Sequence, residues 1–377
     1  MKFSDVVGQD EIKDIFLKYG ESGKIPHAIM LCGPTGSGKL PMALALATYI
    51  CCTNSDHQPD SCGECPSCAK MNVLAHPDVH FAFPIIKKKS GHNSVCDEFL
   101  PVWREALQRN PYITPQQWTE ALEAGNTQPI IYSSESDEIQ RKLSLKSSQG
   151  GYKVMIIWMP EKMNVECANK MLKILEEPPG QTVFILVSEN QERLLPTIVS
   201  RVQRINFPPV EEKYVAEYLI KRYMLVADDA NDIARRSEGS ISAALENIKL
   251  SETRKEYFDS FVSLMRLSYA RDIRSLKDWS DHMSQSGREN QKDFLNYSLN
   301  LIRENFMYNF HENGLIYMSM EEKRFATRFA PFISENNVIG IMELLDEECA
   351  LIEQNVNAKI VFFDMALRMI VLIKQYK

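Results

Sequence analysis

Two clusters in this chain combine residue types and spacings that can do chemistry. The first is a set of cysteines. Cys62, Cys65 and Cys68 form CxxCxxC, and Cys52 lies ten residues before the first of them. Four thiolates can close a tetrahedral Zn2+ site, and a closed four-sulfur site leaves no position open for a substrate, so such a metal is structural. Cys51 competes with Cys52 for the first ligand place, and Cys52 is preferred because Cys51 would lengthen the loop further. Disulfides are the weaker reading, because the spacing is metal-like and the N-terminus, MKFSDVVGQDE, has no apolar signal core. Cys32, Cys96, Cys167 and Cys349 are scattered and read as packing residues.

The second cluster is Leu31 to Pro41, LCGPTGSGKLP, in which Gly33 to Leu40 fits GxxxxGK[ST] except at the last position. In such a phosphate loop the glycines let backbone N–H groups curl round phosphate oxygens, the lysine adds positive charge, and a Ser/Thr hydroxyl holds Mg2+. Gly33, Thr35, Gly36, Ser37, Gly38 and Lys39 are therefore the candidate phosphate contacts. Leu40 has no hydroxyl, so Mg2+ is not expected. Pro41 suits a helix start but has no N–H to give a ligand. Binding of ATP or ADP without the metal stays open at this level.

The elements that must position these residues follow from periodicity. Short apolar runs at His27–Cys32, Val79–Phe83, Val154–Trp158, Thr182–Ser188 and Arg204–Phe207 alternate with helical patterns, which predicts an α/β domain with a parallel sheet. A helix over Val165–Glu177 is predicted from Ala168, Met171, Leu172 and Leu175, with Asn164 as N-cap and Pro178, Pro179 and Gly180 as its stop. Residues 87–128 interrupt this rhythm with Lys87–Lys89, read as a solvated basic loop, and two helix-like patterns, Phe99–Leu107 and Pro115–Ala124. They read as an insertion. Pro208 and Pro209 mark a boundary before a compact helical set, 210–250, broken at Gly239, and the chain from Ser251 onward is helical almost throughout.

The 377 residues are enough for two or three domains, and the 44% apolar and 25% charged content is that of an ordinary globular protein. A net charge of −7 argues against a chain that grips nucleic acid over its whole surface. No apolar run is long enough to span a bilayer, so no membrane role and a cytoplasmic location are expected.

Several segments together resemble the bacterial clamp-loader subunits of the AAA+ class, nearest the delta prime branch of DNA polymerase III. They are Val7–Gln9, Pro26–Ala28 before the phosphate loop, the cysteine cluster after its helix, His76–Asp78, ANKMLKILEEPP at Ala168–Pro179 and LLPTIVSRVQ at Leu194–Gln203. The resemblance covers about residues 1–250 apart from the insertion, and fades in the C-terminal third, where QNVNAKI at Gln354–Ile360 is similar. It implies an AAA+ P-loop core with a five-stranded parallel sheet over 1–207, carrying a zinc module at about 52–68 and the insertion at about 87–128. A small helical lid over 208–250 and an all-α collar or oligomerisation domain over 251–377 complete it.

Departures from the family pattern bear on activity. Active members carry a carboxylate pair at the end of the third strand, where this chain has Trp158 and Met159, with Glu161 shifted along. Ser242 stands where related ATPase subunits place a phosphate-sensing arginine. Ser200, Arg201 and Val202 match the family's Ser-Arg-Cys motif except at the final Cys, and the resemblance implies that its arginine acts in trans on a neighbour's ATP; Arg193 and Arg204 are weaker candidates. The resemblance thus implies a delta-prime-like subunit of the sliding-clamp loader in DNA replication. It would not be an enzyme alone, but part of the DNA-directed DNA polymerase III holoenzyme, with Arg201 as an arginine finger. Expected partners are the ATPase subunits, a delta-like wrench subunit and, through the assembled complex, the sliding clamp and primed DNA. The competing readings are an ATP-hydrolysing motor subunit and a zinc-stabilised adaptor with no nucleotide role.

Overall fold

The computed structural model describes residues 1–54, 60–87, 94–125, 127–148, 151–309 and 320–374. Lys88 and Lys89 of the basic run lie outside them. The chain divides into two compact units, Met1–Asn247 and Ile248–Lys377. The first covers the expected core, 1–207, and ends three residues short of the expected lid boundary at 250.

The first unit is built on strands buried along their whole length: β1 (Ala28–Cys32), β3 (Lys153–Trp158) and β4 (Thr182–Ser188), whose continuous runs AIMLC, KVMIIW and TVFILVS are what strands covered on both faces require. With β2 (Val79–Ala82) and β5 (Gln203–Asn206) they form one parallel sheet in the order β2-β3-β4-β1-β5. Register is fixed by Ala28 opposite Phe184, Ile29 opposite Gln203, Val154 opposite Val183 and Val79 opposite Val154. The helices are α1 (Asp10–Ser22), α2 (Lys39–Cys51), α3 (Pro66–Asn72), α4 (Leu100–Arg109), α5 (Pro115–Ala121), α6 (Ser133–Ser144), α7 (Val165–Glu176), α8 (Pro196–Val199), α9 (Glu212–Tyr223) and α10 (Ala227–Arg236), followed by the first turns of α11 (Ile241–Ala270). This is the AAA+ P-loop core expected from the sequence. Asn164 caps α7 as predicted, its Oδ1 accepting from the Cys167 N–H at 2.8 Å.

Two departures from the sequence reading stand out. Helix α6 was not anticipated, because the face it buries includes Glu135, Ser136 and Lys142, so its hydrophobic period is weak. Helix α11 runs unbroken through 250/251, where the expected lid and collar meet.

The second unit continues with α12 (Ile273–Gln285), α13 (Arg288–Tyr308), α14 (Met320–Phe329), α15 (Val338–Glu353) and α16 (Ala358–Leu372). Helix α13 packs on α15 and α12 on α16 around Phe261, Leu264, Phe294, Leu344, Phe362 and Met365, which are all fully buried. No helix among the described residues is long and apolar enough to cross a membrane.

Candidate functional site

In an open parallel sheet, ligands bind beyond the carboxyl ends of the strands, where the order reverses about β1. The phosphate loop sits there, between β1 and α2. Gly36 has φ +80°, and a Cβ added to it would collide with the Ser240 hydroxyl. Gly33 likewise has no room for a side chain against the Phe207 carbonyl. Gln9 props the loop from outside, its Nε2 donating to Ser37 O at 3.0 Å and Pro208 O at 2.7 Å. Ser37 turns its hydroxyl inward to Pro34 O at 2.8 Å. Pro41 is the third residue of α2, within its first turn.

Lys39 is 4% exposed and does not reach outward. Its ammonium donates to two carbonyls of its own loop, Gly33 O at 2.6 Å and Pro34 O at 2.5 Å. Burial pushes its pKa down, and the charges of Glu189 and Glu161 oppose that fall. Glu189 directly follows β4. Its own carboxyl is pushed up by burial and held back by Lys39 and by a hydrogen bond from Thr35. Glu161 accepts from the Glu189 N–H at 3.0 Å through Oε1. Sequence reasoning placed Glu161 near the site and missed Glu189, whose only signal was its position directly after a buried apolar run.

The end of β3 is apolar in fact as well as in composition. Trp158 is 2% exposed and lies 5.2 Å from Trp103 of α4 and 6.5 Å from Trp118 of α5, ring centre to ring centre. Phe83 stacks on Trp103 at 4.4 Å, and Trp118 satisfies its indole N–H on Pro84 O at 2.7 Å. The two insertion helices therefore dock on the strand end where an ATPase of this class would hold its metal-binding acids.

The four cysteines come together. The sulfurs of Cys52, Cys62, Cys65 and Cys68 all lie within 4.8 Å of one another, with Cys52–Cys62 at 3.6 Å and Cys52–Cys65 and Cys62–Cys68 at 3.9 Å. A tetrahedron with Zn–S bonds of about 2.3 Å has edges of about 3.8 Å, so the donor set fits Zn2+. Cys52 closes α2, and Cys65 is the N-cap of α3. The Cys65 N–H donates to Cys62 Sγ at 3.3 Å and the Cys68 N–H to Cys65 Sγ at 3.4 Å. The N–H groups of Cys65 and Glu64 hold the Cys62 thiol below its ordinary pKa. For Cys65, burial pushes upward, but donors from Thr53 and Cys68 prevail and bring it to about 5. Cys51 is not among the four, and burial pushes its thiol up to about 12.

The module is tied to the core at both ends. Lys2 Nζ donates to Cys62 O at 3.0 Å, and Asp60 accepts from the N–H groups of Phe3 and Ser4 at 3.1 and 2.9 Å. Buried Ser67 pairs with His76 Nε2 at 2.8 Å and donates to Cys51 O at 2.5 Å, while His76 Nδ1 accepts from the Asp78 N–H at 3.2 Å.

Arg201 follows α8 and is about one-third exposed. Its Nε donates to Glu176 at the end of α7 at 2.7 Å, a second nitrogen reaches the same carboxylate, and the third donates to Thr197 O at 2.8 Å. Arg193 and Arg204 are exposed.

Comparison with known proteins agrees with this architecture. Residues 8–211 match the family described as "DNA polymerase III, delta subunit". DNA polymerase III subunit delta' of Bacillus subtilis (strain 168) is 26% identical over 247 residues, 66% of this chain and 60% of that protein. The delta' subunit of Escherichia coli (strain K12) is 27% identical over 225 residues, 60% of this chain and 55% of that protein. The tau subunit of B. subtilis is 26% identical over 216 residues, 57% of this chain and 30% of that protein. The matched stretch thus spans 55–60% of the length of these two delta' relatives. With more than half of its length inside the family match and a phosphate-loop core of the expected topology, the chain belongs to the DNA polymerase III delta-subunit family, in its delta' group.

Proposed function

We propose that this chain is a non-hydrolysing subunit of a cytoplasmic sliding-clamp loader in DNA replication, which stiffens its core with a structural Zn2+ and lends Arg201 to an ATP held by a neighbouring subunit. The observation that carries the reading is the end of β3. Trp158 and Met159 are 2% and 6% exposed in an apolar core, so the place that should hold the metal-organising and water-orienting acids has neither charge nor access to solvent. A site without those groups lacks most of the electrostatic stabilisation that hydrolysis needs, several kcal/mol on ordinary magnitudes.

Cys52, Cys62, Cys65 and Cys68 would hold the zinc, which supplies a covalent cross-link and no reaction. Arg201 offers a partly exposed guanidinium held in place by Glu176 and Thr197, as a group that must meet a neighbour's phosphate requires. The helices from 251 onward are assigned to a collar that joins the ATPase and delta-like subunits, and through the ring the chain would work on the clamp and primed DNA. The Arg201–Glu176 pair also suits a zinc-stabilised adaptor in which Arg201 is an ordinary salt bridge.

Reconstitution separates these readings. The isolated chain should show no ATP turnover, and the cognate complex with clamp and primed DNA should turn over faster with it than without it. Arg201→Ala should remove turnover at the one site it serves, where a finger is worth about 10³- to 10⁵-fold. Unchanged DNA-dependent turnover with Arg201→Ala would leave the adaptor reading, and turnover by the isolated chain would replace both with a motor.

A further inference from the structure

The insertion does more than cover the end of β3. Between α4 and α5 it passes over the phosphate loop, and Tyr112 there is 4% exposed. The Tyr112 hydroxyl accepts from the Val7 N–H at 3.0 Å. Its carbonyl accepts from the Ser242 hydroxyl of α11 at 2.7 Å. On the other side of the loop, the Ile241 N–H donates to Gly36 O at 3.0 Å, and Ser240 packs against Gly36 where a Cβ would be. Directly over the phosphate loop, what is left is a cavity of about 20 Å³ among Lys39, Pro41, Tyr112, Trp158, Glu189 and Ser242, and residues 110–112 separate it from an open groove of about 740 Å³ lined by Val7, Gly8, Tyr214 and Tyr218. The cavity has room for about one water, whereas small-molecule sites measure roughly 300–1,000 Å³.

We propose that residues 110–113 are a built-in ligand: they fill the nucleotide pocket of this chain and do the mechanical work of a nucleotide, tying the N-terminal segment at Val7 and the lid at Ser242 to the phosphate loop. This rests on reading Gly33–Lys39 as a phosphate loop and goes beyond the loss of hydrolysis, because it assigns the insertion a role. The chemistry is consistent on both sides of the pocket. Two donors next to the pocket are already used: Val7 N–H by Tyr112, and the Lys39 ammonium by Gly33 and Pro34. Glu189 lines the remaining space with a carboxyl group, which repels a phosphate. A nucleotide leaves a site when it is hydrolysed or exchanged, whereas a segment held covalently between α4 and α5 does not. The lid of this subunit is therefore set independently of ATP.

The test uses the isolated full-length chain, with no clamp loader present, so its outcome is separate from that of the reconstituted ATPase assay. Thermal unfolding is followed with ATP or ADP at millimolar concentration, with and without Mg2+, alongside amide hydrogen exchange of wild type, Tyr112→Phe and Tyr112→Ala. No nucleotide-dependent shift is expected for wild type. Tyr112→Phe, which removes only the hydroxyl, should speed exchange at the Val7 amide about fivefold or more. Tyr112→Ala should also speed exchange across residues 241–247. A saturable rise in unfolding temperature with ATP or ADP in wild type overturns the proposal. So does unchanged protection of the Val7 amide in Tyr112→Phe, a result that stands even where Tyr112→Ala fails to fold.

Discussion

Removing one cysteine of the cluster tests the metal centre most directly, and the geometry sets the size of the effect. Cys62→Ser replaces a sulfur that lies 3.6 Å from Cys52 and 3.9 Å from Cys68 and that accepts the Cys65 N–H. With zinc bound, the cluster closes a loop of 17 residues from Cys52 to Cys68. Treated as a cross-link, a loop of that length restricts the unfolded chain by about 3 kcal/mol at 25 °C. The cross-link also preserves anchors outside the loop, the Lys2–Cys62 and Asp60–Phe3/Ser4 bonds, so about 3 kcal/mol is a lower figure. For a unit of this size, each kcal/mol moves the midpoint by about 2–4 °C, so the first unit should unfold about 6–12 °C lower. Elemental analysis of the purified chain should give one zinc per chain for wild type and Cys51→Ser, and none for Cys62→Ser. Calorimetry with and without a strong chelator reads the stability. The reasoning fails if wild type carries no stoichiometric metal, if Cys62→Ser keeps both metal and midpoint, or if Cys51→Ser loses the metal while Cys52→Ser retains it.

Two further perturbations probe buried charges. Lys39→Ala should leave the DNA-dependent turnover of the reconstituted complex within about twofold while lowering the stability of the chain by about 1–3 kcal/mol, because the part-buried Gly33 and Pro34 carbonyls lose a charged donor, Pro34 O keeping only the Ser37 hydroxyl; a tenfold fall in turnover with the stability intact would show a ligand-binding lysine instead. In the second unit, burial raises Glu348 to about 7 from an ordinary 4.5, helped by the neighbouring Asp364 and Glu347 and opposed by Arg368 at 3.7 Å. The folded state then keeps a proton that the unfolded state has released, so stability falls as pH rises from about 4.5 to 7, by up to about 3 kcal/mol. Glu348→Gln should flatten that decline in denaturant titrations across the same range, and an unchanged slope would assign the pH dependence to other groups.

Much of the first unit was legible in the sequence because its signals are local. Strands β1, β3 and β4 are continuous apolar runs, and α7 carries its cap, its period and its stop within sixteen residues, Asn164 to Pro179. The cysteines were legible for the same reason, since three of the four lie within one turn and the start of a helix. What was not legible depends on contacts between distant residues. Val7 meets Tyr112 across 105 positions and Tyr112 meets Ser242 across 130, and no window of the sequence holds both partners. Tyr112 itself sits in NPYIT, which reads as a turn between two short helices. Where the insertion packs could therefore not be read from the sequence.

On the proposed reading, the same contrast bears on how ATP hydrolysis can be given up without loss of the fold. Leu40, Trp158 and Met159 each replace a polar group with an apolar one at the carboxyl edge of the sheet, and exposed to water they would form an unfavourable patch. Trp103 and Trp118 cover Trp158, Phe83 and Trp103 stack to close the cluster, and Leu40 and Met159 are buried in the same core. Reverting Trp158 to an acid alone would bury an unpaired carboxylate against two indoles, which costs several kcal/mol before any Mg2+ could be bound. The insertion and the apolar strand end thus hold each other in place, and, if the chain is the non-hydrolysing subunit proposed above, an ATPase site here would require both to change together.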